Sequence, residues 1–172
     1  MKITAFILTA ALSIGSTAQA DTVPQTPTGW LATMGDFSAN TLPARAPENF
    51  VGFLHAVTEP EFHQQRLGNL TEPAYWGRAT DTMASPGMVA NMAAVATPQT
   101  AFAWMQAMMD PRFYEAVGTV LGDQGKWMRW SFATLAPASY QPFAKPFDPQ
   151  LHARWQAMIN PMVASPLARS AQ

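Results

Sequence analysis

The sequence predicts an all-α protein: a tandem array of short Pro-capped helices with a 12–13-residue repeat, closing as a small solenoid or a compact irregular helical bundle. Three observations predict it. Dipeptides ending in Pro recur at Ala46-Pro47, Glu59-Pro60, Glu72-Pro73, Ser85-Pro86, Thr97-Pro98, Asp110-Pro111, Ala136-Pro137, Asp148-Pro149 and Asn160-Pro161. Their spacings are 13, 13, 13, 12, 13, 26, 12 and 12 residues, and the double interval holds Gly122-Asp123-Gln124 where a Pro is due. Second, large side chains fall mainly three and six residues after each Pro, as in Phe50/Phe53, Tyr114/Val117, Trp127/Trp130 and Tyr140/Phe143. That is one side of a short helix. Third, several of the residues before Pro are Ser, Thr, Asp or Asn, whose side chains accept from the open amides of a first helical turn. Pro at the first helical position gives up an N–H that has no intrahelical partner anyway.

One long helix kinked at each Pro is the competing reading. Each interior Pro costs about 3 kcal/mol. A thirteen-residue step also rotates the apolar side by roughly 220° at about 100° per residue. Separate short helices avoid both penalties. Helices of this length are marginal alone, so each must bury its stripe on a neighbour, as in repeat arrays. The period is shorter than those of the named helical solenoids.

In chain order, residues 1–20 read as a secretory signal: Lys2, an apolar run from Ile3 to Ile14, and Ala18-Gln19-Ala20 as a small-x-small cleavage site. The run is too short to span a bilayer. Export to the periplasm or beyond follows, with a mature chain starting at Asp21. Residues 21–45, broken by Pro24, Pro27, Gly29, Gly35 and Pro43, read as an irregular N-terminal arm in which Trp30 to Met34 could dock as a short helix. Residues 46–166 form a single helical repeat domain. Its first three units carry most of the polar side chains, His63, Gln64, Gln65, Arg66, Arg78 and Asp81, and the units from Ser85 to Met109 are the richest in Met and Ala. Gly68 and Gly122 read as helix stops. Pro142 and Pro146 make 136–147 a turn-rich spacer, and 167–172 reads as a frayed tail. Asn69-Leu70-Thr71 matches a glycosylation acceptor, but the bacterial-looking signal makes the match incidental.

Composition excludes several classes. The 172 residues contain no Cys, which removes disulfides and thiolate chemistry. Without Lys2 the chain keeps nine basic and eleven acidic residues, a formal charge of −2. So sparse a charge offers no basic stripe for nucleic acid and no cationic helix for an anionic membrane. No apolar run after residue 20 is long enough to be a transmembrane span.

Three constellations remain. Catalysis lacks parts: three scattered His, no Cys, no phosphate loop, and acidic residues that mostly sit at helix-capping positions. A non-enzyme is expected. For metal, Met105, Met108 and Met109 share helical spacing, and thioethers suit Cu(I). Met at such spacing also serves as adaptable core filler, so no cofactor is required, with copper as the one candidate. The third is the aromatic/Met set itself, with Trp76, Phe102, Trp104, Phe113, Tyr114, Trp127, Trp130 and Trp155 as the expected interaction surface. Some of it must be core. The rest implies an exported, non-catalytic structural or scaffolding protein that self-associates, joins another envelope component, or coats an apolar surface. A small-ligand binder, holding Cu(I) on Met/Trp sites or a hydrophobic molecule between helices, is the alternative.

Overall fold

A computed structural model describes residues 22–169. The signal expected over 1–20 and the last three residues lie outside the described residues. The fold is all-α, and the prolines set it. Helices begin at Pro27 (α1, Pro27–Gly35), at Leu42 (α2, Leu42–Arg45), and then at Pro47 (α3, Pro47–Val57), Pro60 (α4, Pro60–Leu70), Pro73 (α5, Pro73–Met83) and Pro86 (α6, Pro86–Val95). They continue as α7 (Pro98–Met109), α8 (Pro111–Leu121) and α9 (Gln124–Leu135), the last opening where the sequence lacks its Pro. Residues 137–147 are the expected turn-rich stretch. They form a 3₁₀ turn at Pro137–Tyr140, the single turn α10 (Gln141–Ala144), and another 3₁₀ turn at Lys145–Phe147. Helix α11 spans Pro149–Arg169.

The corners have a local cause. A residue before Pro is pushed out of the α region by the ring's Cδ. Glu59, Glu72, Ser85, Thr97 and Asp110 accordingly sit at ψ between 117° and 148°, so the chain leaves the helix at each of them. This rules out the kinked-helix alternative at these five corners. Caps follow chemistry: Thr97, Asp110 and Asp123 accept from Thr100, Arg112 and Gly125 amides at 3.1, 2.9 and 2.8 Å. Glu59, Glu72 and Ser85 make no side-chain cap bond.

Three expectations need correction. The described part of the N-terminal segment, 22–45, is no irregular arm. It folds into α1 and α2, and its Trp30, Leu31 and Leu42 join Ala56 and Phe62 as the buried cluster, with Met34, Phe53 and Val57 packed against them. The reason is size: helices of eleven residues have no interior, and an indole laid along the Cβ-less side of Gly52 fills the gap, its ring 3.4 Å from where a Cβ would stand. Asn160-Pro161 opens no new unit, because α11 runs through it. Helix α11 is described as far as Arg169. Gly122 ends α8 as expected, capping it at φ −85° with its N–H on Gly118 O, whereas Gly68 lies inside α4.

The array does not stay open. Neighbours from α3 to α8 pack in sequence, and later helices also return onto earlier ones: α7 and α8 onto α3, α9 and α10 onto α4, and α11 onto α5. Helix α1 packs on α3, α4 and α5 inside this coil. Asn91 of α6 fastens the N-terminal segment. Its amide nitrogen donates to Phe37 O and Asn40 Oδ1, both at 3.0 Å, and its Oδ1 accepts from Thr41 and Arg45.

Candidate interaction surface

The two recurrent positions, three and six residues after each helix-opening residue, do different work. At five helix starts the side chain at position three reaches back six residues to a carbonyl in the last turn of the previous helix. Trp76 Nε1 donates to Leu70 O at 3.0 Å, Tyr114 Oη to Met108 O at 2.9 Å, Trp127 Nε1 to Leu121 O at 3.3 Å and Tyr140 Oη to Thr134 O at 2.7 Å. His63 Nε2 makes the same bond to Val57 O at 2.6 Å. The last four carbonyls of a helix lack intrahelical donors, and these side chains satisfy one at each corner. The Trp76, Tyr114 and Trp127 rings stay exposed, at 42%, 58% and 63% accessible, whereas His63 is half-buried against Phe62 and Trp130.

The indole at position six reaches further. Trp104 Nε1 donates to Ala44 O at 2.7 Å, Trp130 Nε1 to Thr58 O at 2.8 Å, and Trp155 Nε1 to Thr71 O at 2.9 Å. The separations are 60, 72 and 84 residues, so each inner step of one repeat is matched by two repeats of the outer layer. These three indoles are half-buried, as is Phe113, which packs on Phe50 and Trp104 with centroids 6.4 and 6.0 Å away.

Ion pairs repeat the same offset. Arg129 grips Glu59 with Nε and Nη2 at 2.9 and 2.8 Å, and Arg154 and Lys145 reach Glu72 at 3.1 and 3.2 Å. Glu59 and Glu72 therefore take cations from the outer layer instead of capping. The Arg129 hydrogen bonds hold the Glu59 carboxyl below its ordinary value, against the opposing effect of burial, and raise Arg129 in return. Lys126 is buried beside them. Its Nζ donates to Thr58 Oγ1 at 2.7 Å and His55 O at 3.3 Å, at the C-terminal end of α3 where a cation is favoured. Burial pushes its pKa down, opposed by Glu59 at 3.9 Å.

Of the eight aromatics expected at the surface, Trp104, Phe113, Trp130 and Trp155 are ties between layers, while Trp76, Phe102, Tyr114 and Trp127 present exposed rings. Met105, Met108 and Met109 share one exposed side of α7. Residues the sequence reading passed over extend this surface: Val89, Phe132, Leu135 and Phe147 are each two-thirds or more accessible.

Two hollows flank it. A cleft of about 1080 Å³ runs between α1, α4, α5 and the 137–147 stretch, and Gln64, Gln65, Asn69, Arg78 and Asp81 are among its lining residues. A smaller apolar hollow of about 240 Å³ lies between α3, α8 and α9, walled by Trp127 and Trp130. Among the described residues no three His, Asp or Glu side chains converge as a metal site, and no helix is long and apolar enough to cross a membrane. Comparison with known protein families, curated proteins and solved structures finds no match.

Proposed function

We propose that this is an exported, non-catalytic structural or scaffolding protein, and that it self-associates or coats an apolar surface through the outer side of α6 to α9 and the 137–147 stretch. One observation carries the reading: large apolar side chains crowd that side, Phe102, Met109, Trp127, Phe132 and Leu135 among them, all at least 60% accessible. Exposed apolar area of this kind marks interaction surfaces, and the Trp, Phe, Tyr and Met content is that of interface cores. The sparse charge on this side lowers the desolvation cost of covering it.

The test is the mass of the mature chain, Asp21 to Gln172, by size exclusion with light scattering across a concentration series. Oligomers that grow with concentration are expected, and Phe102→Ser with Met109→Ser should reduce them at unchanged helicity. A monomer at every concentration, with no binding to apolar beads, would end the reading. Trp104 and Trp130 are unsuitable for this test, because they tie the layers together.

The second reading, a small-ligand binder, draws on the shared side of Met105, Met108 and Met109, which offers three thioethers to Cu(I).

A further inference from the structure

The thioethers of this chain fall into a reactive group and a sheltered one. The sequence has eleven Met and no Cys, so no thiol of its own competes for a two-electron oxidant. A peroxide must reach the sulfur, so exposure orders the methionines. Met34 packs against the buried cluster, and Met88 and Met158 are half-buried. On α7, Met105, Met108 and Met109 are 51%, 59% and 82% accessible, and their helical spacing puts them on one side. Phe102, also exposed, precedes Met105 by three residues on that side. Met83, Met92 and Met128 are exposed too, but each is the lone exposed Met of its helix.

What α7 contributes to the fold uses other groups. Trp104 Nε1 donates to Ala44 O, and Thr100 Oγ1 donates to Ala94 O. Met108 takes part through its carbonyl, which accepts from Tyr114 Oη. None of these bonds involves a thioether. Oxidation of the three sulfurs therefore leaves the ties of α7 in place and alters only its outer side.

We propose that Met105, Met108 and Met109 form an oxidation-responsive modification site, at which hydrogen peroxide converts thioethers to sulfoxides and releases the contacts made through this side. This rests on the reading of that side as an apolar interaction surface and names its regulation. In the step, a sulfur lone pair attacks one peroxide oxygen, the O–O bond breaks and the S–O bond forms. The proton of the transferred hydroxyl passes to the departing one, which leaves as water. Sulfur gives up the two electrons that the peroxide gains. The reverse step needs a methionine sulfoxide reductase and thiols, which take the oxygen off as water and become a disulfide. A sulfoxide is polar where the thioether was apolar, which disrupts Met-rich contacts. Three such oxygens beside Phe102 turn one apolar patch into a polar one.

The experiment treats the mature chain with hydrogen peroxide in the presence of a metal chelator. Peptide mass spectrometry follows each Met, circular dichroism follows helicity, and light scattering follows association. Met105, Met108 and Met109 should gain oxygen before Met34, Met88 and Met158, with helicity unchanged. Association should weaken by roughly tenfold or more, the effect of burying a polar group without a partner, and methionine sulfoxide reductase should restore it. Met105→Leu, Met108→Leu and Met109→Leu together keep the side apolar, and that variant should stay associated in peroxide. Met105→Gln, Met108→Gln and Met109→Gln together imitate the polar product, and that variant should associate poorly untreated; it serves alone if the first loses helicity. Oxidation of the α7 trio no faster than Met34, peroxide release of the first variant, or full association of the second or of the oxidised wild type overturns the switch and leaves self-association standing. For a monomeric wild type, retention on apolar beads is read in place of light scattering, with the same expectations. A chain that neither associates nor binds the beads removes the surface reading and the switch together.

Discussion

Trp130→Phe against Trp127→Phe separates the two jobs assigned to the repeated aromatics. Both residues lie on α9, three apart, and both donate an indole N–H to a carbonyl. Trp130 is half-buried, binds Thr58 O at 2.8 Å, and lies 5.2 Å from the His63 ring. Loss of its N–H leaves a part-buried carbonyl without its donor, about 1 kcal/mol with partial rescue by water. Trading indole for phenyl removes the equivalent of about one methylene of buried area, roughly another 1 kcal/mol. Trp127 is 63% accessible and its bond is long at 3.3 Å, so its replacement should cost no more than about 0.5 kcal/mol. Thermal unfolding followed by circular dichroism should put Trp130→Phe about 4–8 °C below wild type and Trp127→Phe within about 2 °C. Urea midpoints at unchanged slope would check that the native state alone has changed. Equal losses at the two positions would refute the division into corner staple and interlayer tie.

Two further outcomes follow from the ion pairs and the methionines. Because the folded pKa of Glu59 is lowered below 4.5, its contribution is complete above that value and disappears as pH falls through the folded value, so stability should drop on the acid side. Glu59→Gln should flatten that acid limb and cost about 1–2 kcal/mol at neutral pH, since it leaves Lys126 buried without its counter-charge; urea titrations at several pH values measure both. Lys126 acts in the opposite range: its folded pKa is below 10.5, so stability should rise from that folded value up to about 10.5. If Met105, Met108 and Met109 hold Cu(I), changing all three to Leu should abolish competition with a chromogenic copper chelator at unchanged helicity, and unaltered competition would end that reading.

The local rules of the fold were legible and the long-range ones were not. Pro47, Pro60, Pro73, Pro86, Pro98 and Pro111 mark helix starts because a pyrrolidine ring and its predecessor have few backbone options, and that constraint needs no tertiary context. Positions three and six after each Pro were visible as a pattern of large side chains. Their distinct partners were hidden, because a bond from Trp104 to Ala44 crosses 60 residues and depends on how the array coils. The N-terminal segment misled for a related reason. Pro24, Pro27, Gly29, Gly35 and Pro43 read as breaks, and only the lack of an interior among the later helices draws Trp30 into the centre. Candidate surface residues divided along the same line: Trp127 and Trp130 look alike in sequence, and burial alone tells them apart.

The coil also explains why so much apolar area remains outside. Two outer repeats accompany each inner one, so the inner layer lacks enough surface to cover the apolar side of every later helix. Among the described residues, the buried ones of the outer helices are Asn91 in α6, Thr100 in α7, Val120 in α8, Lys126 in α9 and Leu151 in α11. Three of these five are polar, and each of the three makes specific hydrogen bonds: Asn91 to the N-terminal segment, Thr100 to Ala94 O at 3.0 Å, and Lys126 to α3. The outer layer is thus positioned by directed polar ties and indole bonds more than by burial. Directed bonds contribute little net stability each, while burial is the dominant favourable term in folding and association. A layer held in this way keeps its apolar side chains available, and covering them with a second body supplies the burial that the isolated chain leaves unused.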